Sequence, residues 1–108
     1  MNHFINISDL SKEELRSIIE DGKKIKSERG KKTPSQLDLD KPLNGKTMIM
    51  IFEKTSTRTR ISFDLAVKQL GGSSIILNQD EIHYGKGDET IKDTAKVLSQ
   101  YADILMIR

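Results

Sequence analysis

The seven residues Lys46 to Phe52, KTMIMIF, set the first constraint on the fold, because they are apolar almost without a break. A strand with one face in water alternates polar and apolar residues. A run like this one fits a strand covered on both faces, as in the parallel sheets of α/β proteins. Directly after it comes FEKTSTRTR, Phe52 to Arg60, which packs four hydroxyl side chains and two arginines into one hinge. The next stretch, ISFDLAVKQLGG, carries Ile61 and Leu65 at helical spacing and closes on Gly71-Gly72. Strand, turn and helix in this order leave free backbone N–H groups at the start of the helix, where anions are collected. The hinge therefore reads as a site for phosphate or carboxylate.

One domain is expected, since 108 residues fall within the usual size of a single core. Hydrophobic residues make up 35% and charged residues 31%, a polar balance for a chain that buries a sheet on both faces. Part of the apolar cover is accordingly expected from a missing part of the chain or from partner subunits. The formal charge of +2 does not demand nucleic acid, and with only two Tyr, three Phe and no Trp a basic RNA-binding domain is disfavoured. Cysteine is absent, which removes disulfides and thiolate metal sites, and His3 and His83 are too far apart for a metal motif. No apolar run approaches the roughly 20 residues of a membrane span, and the N-terminus shows no export signal. The cytoplasm is the expected location.

From Leu10 to about Arg29 the pattern predicts an amphipathic helix. Ser11 and Glu14 form a capping box, Leu10 and Leu15 occupy the hydrophobic staple positions, and Leu15, Ile18, Ile19, Gly22 and Ile25 share one face for packing. The basic end, KKIKSERGKK, is read as cations favoured by the helix dipole and solvated there. Gly30, Pro34, Pro42 and Asn44-Gly45 punctuate a loop and turn. The triplet GKT at 45–47 resembles the end of a Walker loop. That pattern needs glycine where Asp40 stands, and here the triplet precedes a strand instead of following one.

The remaining elements are predicted as a strand about Lys46 to Phe52, a helix about Thr57 to Leu70, a strand SSIILN, a loop Gln79 to Glu89, a helix Thr90 to about Ala102 on Ile91, Ala95, Leu98 and Ala102, and a strand DILMI ending at Arg108. A βαβαβ order after an N-terminal helix argues for an α/β fold, a parallel sheet with flanking helices. In such sheets ligands bind beyond the carboxyl ends of the strands. The hinge, the loop at 79–89 and Arg108 all leave that edge. Ser56, Thr57, Arg58 and Thr59 suit phosphate there, through hydroxyls, backbone N–H groups and a guanidinium. Arg60 lies about 200° round the helix from Arg58 and is read as a structural, ion-pairing arginine. Lys54 either adds charge to the site or faces water. His83, with Glu81 and Lys86 nearby, stays open between solvated and catalytic roles.

With these residues in view, FEKTSTRTR, SFDLAVKQLGG and IHYGKGDETIKDTAKVLSQYAD resemble the carbamoyl-phosphate half of the aspartate and ornithine carbamoyltransferase family. The resemblance runs from the first helix to Arg108, and the hinge motif is highly specific. Lys54 after Phe52-Glu53 and the Ile82-His83-Tyr84-Gly85 segment favour the ornithine branch over the aspartate one. The resemblance implies that Ser56, Thr57, Arg58 and Thr59 hold the phosphate of carbamoyl phosphate. It implies that Thr59 and Arg108 reach the carbonyl oxygen, so that Arg58, Thr59 and Arg108 serve catalysis, and that His83 extends into the site of an adjacent subunit of a trimer. The implied reaction carbamoylates the δ-amino group of L-ornithine, giving L-citrulline and phosphate in arginine metabolism, with no metal or organic cofactor.

Two departures from the family pattern stand out. The loop GKGDETIKDT is one residue longer than the family spacing, which bears on the placement of His83. Family members are about three times this length, so residues 1–108 are expected to be an incomplete carbamoyl-phosphate-binding domain lacking the C-terminal ornithine-binding domain. Weak anion binding and no transferase activity are expected of the chain alone. A non-catalytic oligomerisation remnant of the same half-fold is the competing reading.

Overall fold

The computed structural model describes residues 3–79 and 91–108, and the chain divides into two compact units, Met1–Lys32 and Thr33–Arg108. In the first, a short 3-10 turn at Ile7–Asp9 precedes helix α1, Lys12–Arg29. The predicted capping box is present: the Ser11 hydroxyl accepts the Glu14 N–H at 3.1 Å, and the Glu14 carboxylate accepts the Ser11 N–H at 3.1 Å. Those bonds hold the Glu14 carboxyl below the ordinary glutamate range, the backbone bond first among them. Leu10 and Leu15, at the expected staple positions, both line one groove beside the start of α1. No residue of α1 is buried, and Ile18 and Ile19 are 48% and 57% exposed. Periodicity marks a surface able to pack, but it does not supply the surface that would cover it.

The second unit holds a three-stranded parallel sheet in the order β2-β1-β3, with β1 at Thr47–Phe52, β2 at Ser73–Asn78 and β3 at Ile104–Ile107. Helix α2, Thr57–Gln69, joins β1 to β2, and helix α3 is described over Ile91–Tyr101. The apolar run behaves as its composition demands: every residue of β1 after Thr47 is buried. Met48, Met50 and Phe52 face α2 and cluster with Val67, Ile76 and Met106, while Ile49 and Ile51 face α3 and meet Leu77, Leu98 and Ala102. The helices thus cover opposite faces of one central strand. The outer strands are thinner cover, with Ile75 46% and Ile107 61% exposed.

Two predicted helix faces are rotated from expectation. In α2 the buried residue is Val67, while Ile61 is exposed. In α3 the buried residue is Thr94, with Leu98 and Ala102 below it, and Ile91 and Ala95 are exposed. Leu98 and Ala102 fix the inward direction there, and a threonine methyl four residues earlier continues that stripe better than Ala95 does.

The turn between α2 and β2 explains its glycine pair. Gly71 sits at φ +89°, and a Cβ there would lie 2.9 Å from Lys41 Cβ. At Gly72 a Cβ would meet Leu43 and Val67, each at 3.0 Å. The preceding loop passes this close because it is tied to the end of α2, with Leu43 N–H donating to Leu70 O at 3.0 Å and Asp38 N–H to Gln69 O at 2.9 Å. Of the predicted loop at 79–89, only Gln79 lies within the described residues, where it takes a helical conformation. His83 and Thr90 lie outside them.

Candidate anion site at the carboxyl edge of the sheet

Ser56 is the N-cap residue of α2, with φ −138° and ψ 81°, yet its hydroxyl caps nothing on the helix. Its carbonyl accepts the Arg60 N–H at 2.9 Å, starting the helical ladder. The amides of Thr57, Arg58 and Thr59 precede that first bond, so they have no acceptor within α2. No acidic residue stands in the first turn to compete for them. The result is a cluster of outward N–H groups at the positive end of a helix dipole.

The Ser56 hydroxyl is engaged elsewhere. Arg108 Nη1 donates to Ser56 Oγ and to Thr59 Oγ1, each at 2.5 Å. The backbone of Arg108 explains how an arginine 52 residues away in sequence arrives there. Its N–H donates to Ile51 O and its carbonyl accepts the Glu53 N–H, both at 2.9 Å, so it extends the β1–β3 ladder past Ile107. Side chains alternate along a strand, which puts Arg108 on the same face as Met106, the α2 face. Both hydroxyls are half-buried, while Thr57, Arg58 and Lys54 are exposed.

Of the residues expected to form a site, Arg108 is therefore bonded to Ser56 and to Thr59, and Thr57 and Arg58 share the helical turn of those hydroxyls. Hydrogen bonds from Lys68, foremost, and from Ser74 hold the Asp64 carboxyl below the ordinary aspartate range, and the charge of Arg60, one turn earlier on α2, adds a lesser push in the same direction. Lys68 Nζ lies 2.8 Å from Asp64 Oδ2, and the Ser74 hydroxyl donates to Asp64 Oδ1. The only local sequence signal for this link from α2 to β2 is Asp64 and Lys68 at i, i+4. The GKT triplet lies at the opposite, amino end of β1, where Lys46 is 3.9 Å from Asp103. No cluster of acidic, histidine or cysteine side chains suited to a metal ion occurs among the described residues, and none of their helices is long and apolar enough to cross a membrane.

Arginine, hydroxyls and helix amides thus meet at the strand ends, on the motif FEKTSTRTR. The family profile described as aspartate/ornithine carbamoyltransferase, carbamoyl-P binding domain, matches residues 2–108. The chain belongs to this family. Among carbamoyltransferases, the ornithine carbamoyltransferase of Cereibacter sphaeroides is 47% identical over 108 residues, all of this chain and 35% of that protein. The anabolic ornithine carbamoyltransferase of Campylobacter jejuni has a TM-score of 0.83 at 38% identity, covering 100% of this chain and 32% of its own. The catalytic subunit of aspartate transcarbamoylase from M. jannaschii follows at 0.80 and 36%, with 100% and 34% covered. The chain thus spans about a third of the length of the carbamoyltransferases it matches, and the backbone is shared by both branches.

Proposed function

We propose that this domain holds carbamoyl phosphate in an ornithine carbamoyltransferase. The observation that carries the reading is the Arg108 guanidinium bonded to the two hydroxyls of the first turn of α2. In this reading the amides of Thr57 to Thr59, the hydroxyls of Ser56 and Thr57 and the Arg58 guanidinium receive the phosphate. Arg108 and Thr59 receive the carbonyl oxygen. When the δ-amino group of L-ornithine attacks the carbonyl carbon, charge grows on that oxygen and phosphate departs with charge of its own. Donors fixed beforehand stabilise both, a contribution commonly of several kcal/mol to such a barrier. The hydrogen bonds from Arg108 to Ser56 and Thr59 support this preorganisation.

The ornithine branch is favoured by Lys54, by the segment around His83 and by the 47% identity to an ornithine carbamoyltransferase. We place the ornithine-binding domain in the remaining length of the relatives. His83 is proposed to reach the phosphate site of a neighbouring subunit. A homotrimer or a multiple of it, a cytoplasmic location and a place in arginine biosynthesis or the urea cycle belong to the same reading. The reading is tested by titrating carbamoyl phosphate into the chain and into Arg58→Ala, following the Thr57–Thr59 amide resonances. At least a tenfold weaker affinity is expected in the variant, since hydrogen bonds to charged groups contribute about 1.5–3 kcal/mol. Equal affinities would refute the role of Arg58.

A further inference from the structure

We infer that Asp103 is a positioning residue for Arg108, acting at the far end of β3 by fixing the register in which that strand joins β1. What Arg108 does for the ligand rests on the function proposed above; how it is held there is a separate matter of geometry. In a parallel ladder the N–H of Thr47 would bond to a carbonyl of the neighbouring strand just before Asp103. The chain there is leaving α3, whose last residue is Tyr101, and the Ala102 N–H is still bonded to Leu98 O at 2.9 Å. Asp103 supplies the missing acceptor itself. Its Oδ2 accepts the Thr47 N–H at 2.9 Å, while its own N–H donates to Thr47 O at 2.9 Å. Two bonds between one residue of each strand define a single alignment.

That alignment runs Met48 to Ile104 and on to Ile51 with Ile107, and it delivers Arg108 beside Ile51 and Glu53. Slippage by one residue would turn Arg108 to the α3 face; slippage by two would carry it roughly 7 Å along the strand. Little else in β3 opposes either error. Among the described residues it is a four-residue edge strand; Leu105 and Ile107, on the α3 side, are 44% and 61% exposed, and on the α2 side Met106 is its one side chain in the core cluster. Register is weakly specified where burial is weak. Asp103 therefore lies outside the ligand site and governs it from the opposite edge of the sheet.

The test uses NMR on the labelled 108-residue chain, with two readouts: exchange protection of the Arg108 guanidinium protons, and affinity for carbamoyl phosphate. In Asp103→Ala, guanidinium exchange should rise at least tenfold. Affinity should fall as far as in Arg108→Ala, with the double variant no worse than Arg108→Ala alone. Asp103→Asn retains an acceptor and should restore both readouts. If Asp103→Ala does not fold, Thr47→Pro removes the same bond from the donor side, at a first strand position where proline is tolerated, and the same comparison applies. Unchanged Arg108 protection in a folded Asp103→Ala or Thr47→Pro chain overturns the assignment, as do losses that simply add. If protection collapses while Arg108→Ala binds carbamoyl phosphate normally, the register role stands and the proposed function of Arg108 falls.

Discussion

At the scale of single residues, the site turns on what a guanidinium does that an ammonium cannot. One nitrogen of Arg108 reaches two hydroxyls, Ser56 and Thr59, and the other donors of its planar fork are committed to nothing among the described residues. Lysine in its place would keep the charge but lose the fork. Arg108→Lys is therefore expected to weaken carbamoyl phosphate binding by about tenfold, the scale of one charged hydrogen bond. Ser56→Ala should cost less, because Thr59 still accepts from Arg108. Affinities in the opposite order, measured by the same titration, would reject this division of labour. The hydroxyls and Arg58 were legible in the motif. The partner of Ser56 was not, because a serine before a helix reads locally as a cap, and the bond that replaces capping spans 52 residues.

Elements were legible where composition and punctuation agreed. The near-unbroken apolar run of β1, the Ser11 and Glu14 box and the glycine pair after α2 each had a physical signature, and each element formed within a residue or two of its expected bounds. Helix rotation was less legible, since Thr94 is a polar residue whose burial depends on the direction set by Leu98. Two variants probe these ends. Gly71→Ala faces both φ +89° and a contact of 2.9 Å to Lys41, so a loss of about 1–3 kcal/mol is expected, read as a lower urea midpoint. A midpoint equal to that of wild type would show that the turn relaxes at no cost. Ser11→Ala removes the acceptor of the Glu14 N–H and should destabilise α1 by about 1 kcal/mol. Faster amide exchange confined to Lys12–Glu14 and the turn above is the expected sign, and unchanged exchange there would argue against a working cap.

On the scale of the whole second unit, the topology and the acid behaviour meet at Asp64. The strand order β2-β1-β3 means that the chain moves to one side of β1 through α2 and later returns on the other side, leaving β1 and β3 adjacent. This reversal makes the crevice at their carboxyl ends, where Arg108 and the start of α2 converge. The parallel order was legible in the sequence, but the position of β3 was not, because no local pattern says on which side of β1 a strand returns. Asp64 ties the body of α2 to β2 through Ser74 and carries Lys68 on its other oxygen. These bonds, from Lys68 foremost, hold its carboxyl below the ordinary value of 3.8. A carboxyl with a depressed folded value binds its proton less readily folded than unfolded. Its contribution is therefore complete above the unfolded value and is lost as pH falls through the folded one. Asp64→Asn should accordingly lower stability at neutral pH and flatten the decline below about pH 4. Urea unfolding of both chains across this range decides it: two curves separated by a constant amount down to the acid limit would mean that Asp64 contributes nothing to the acid sensitivity of the fold.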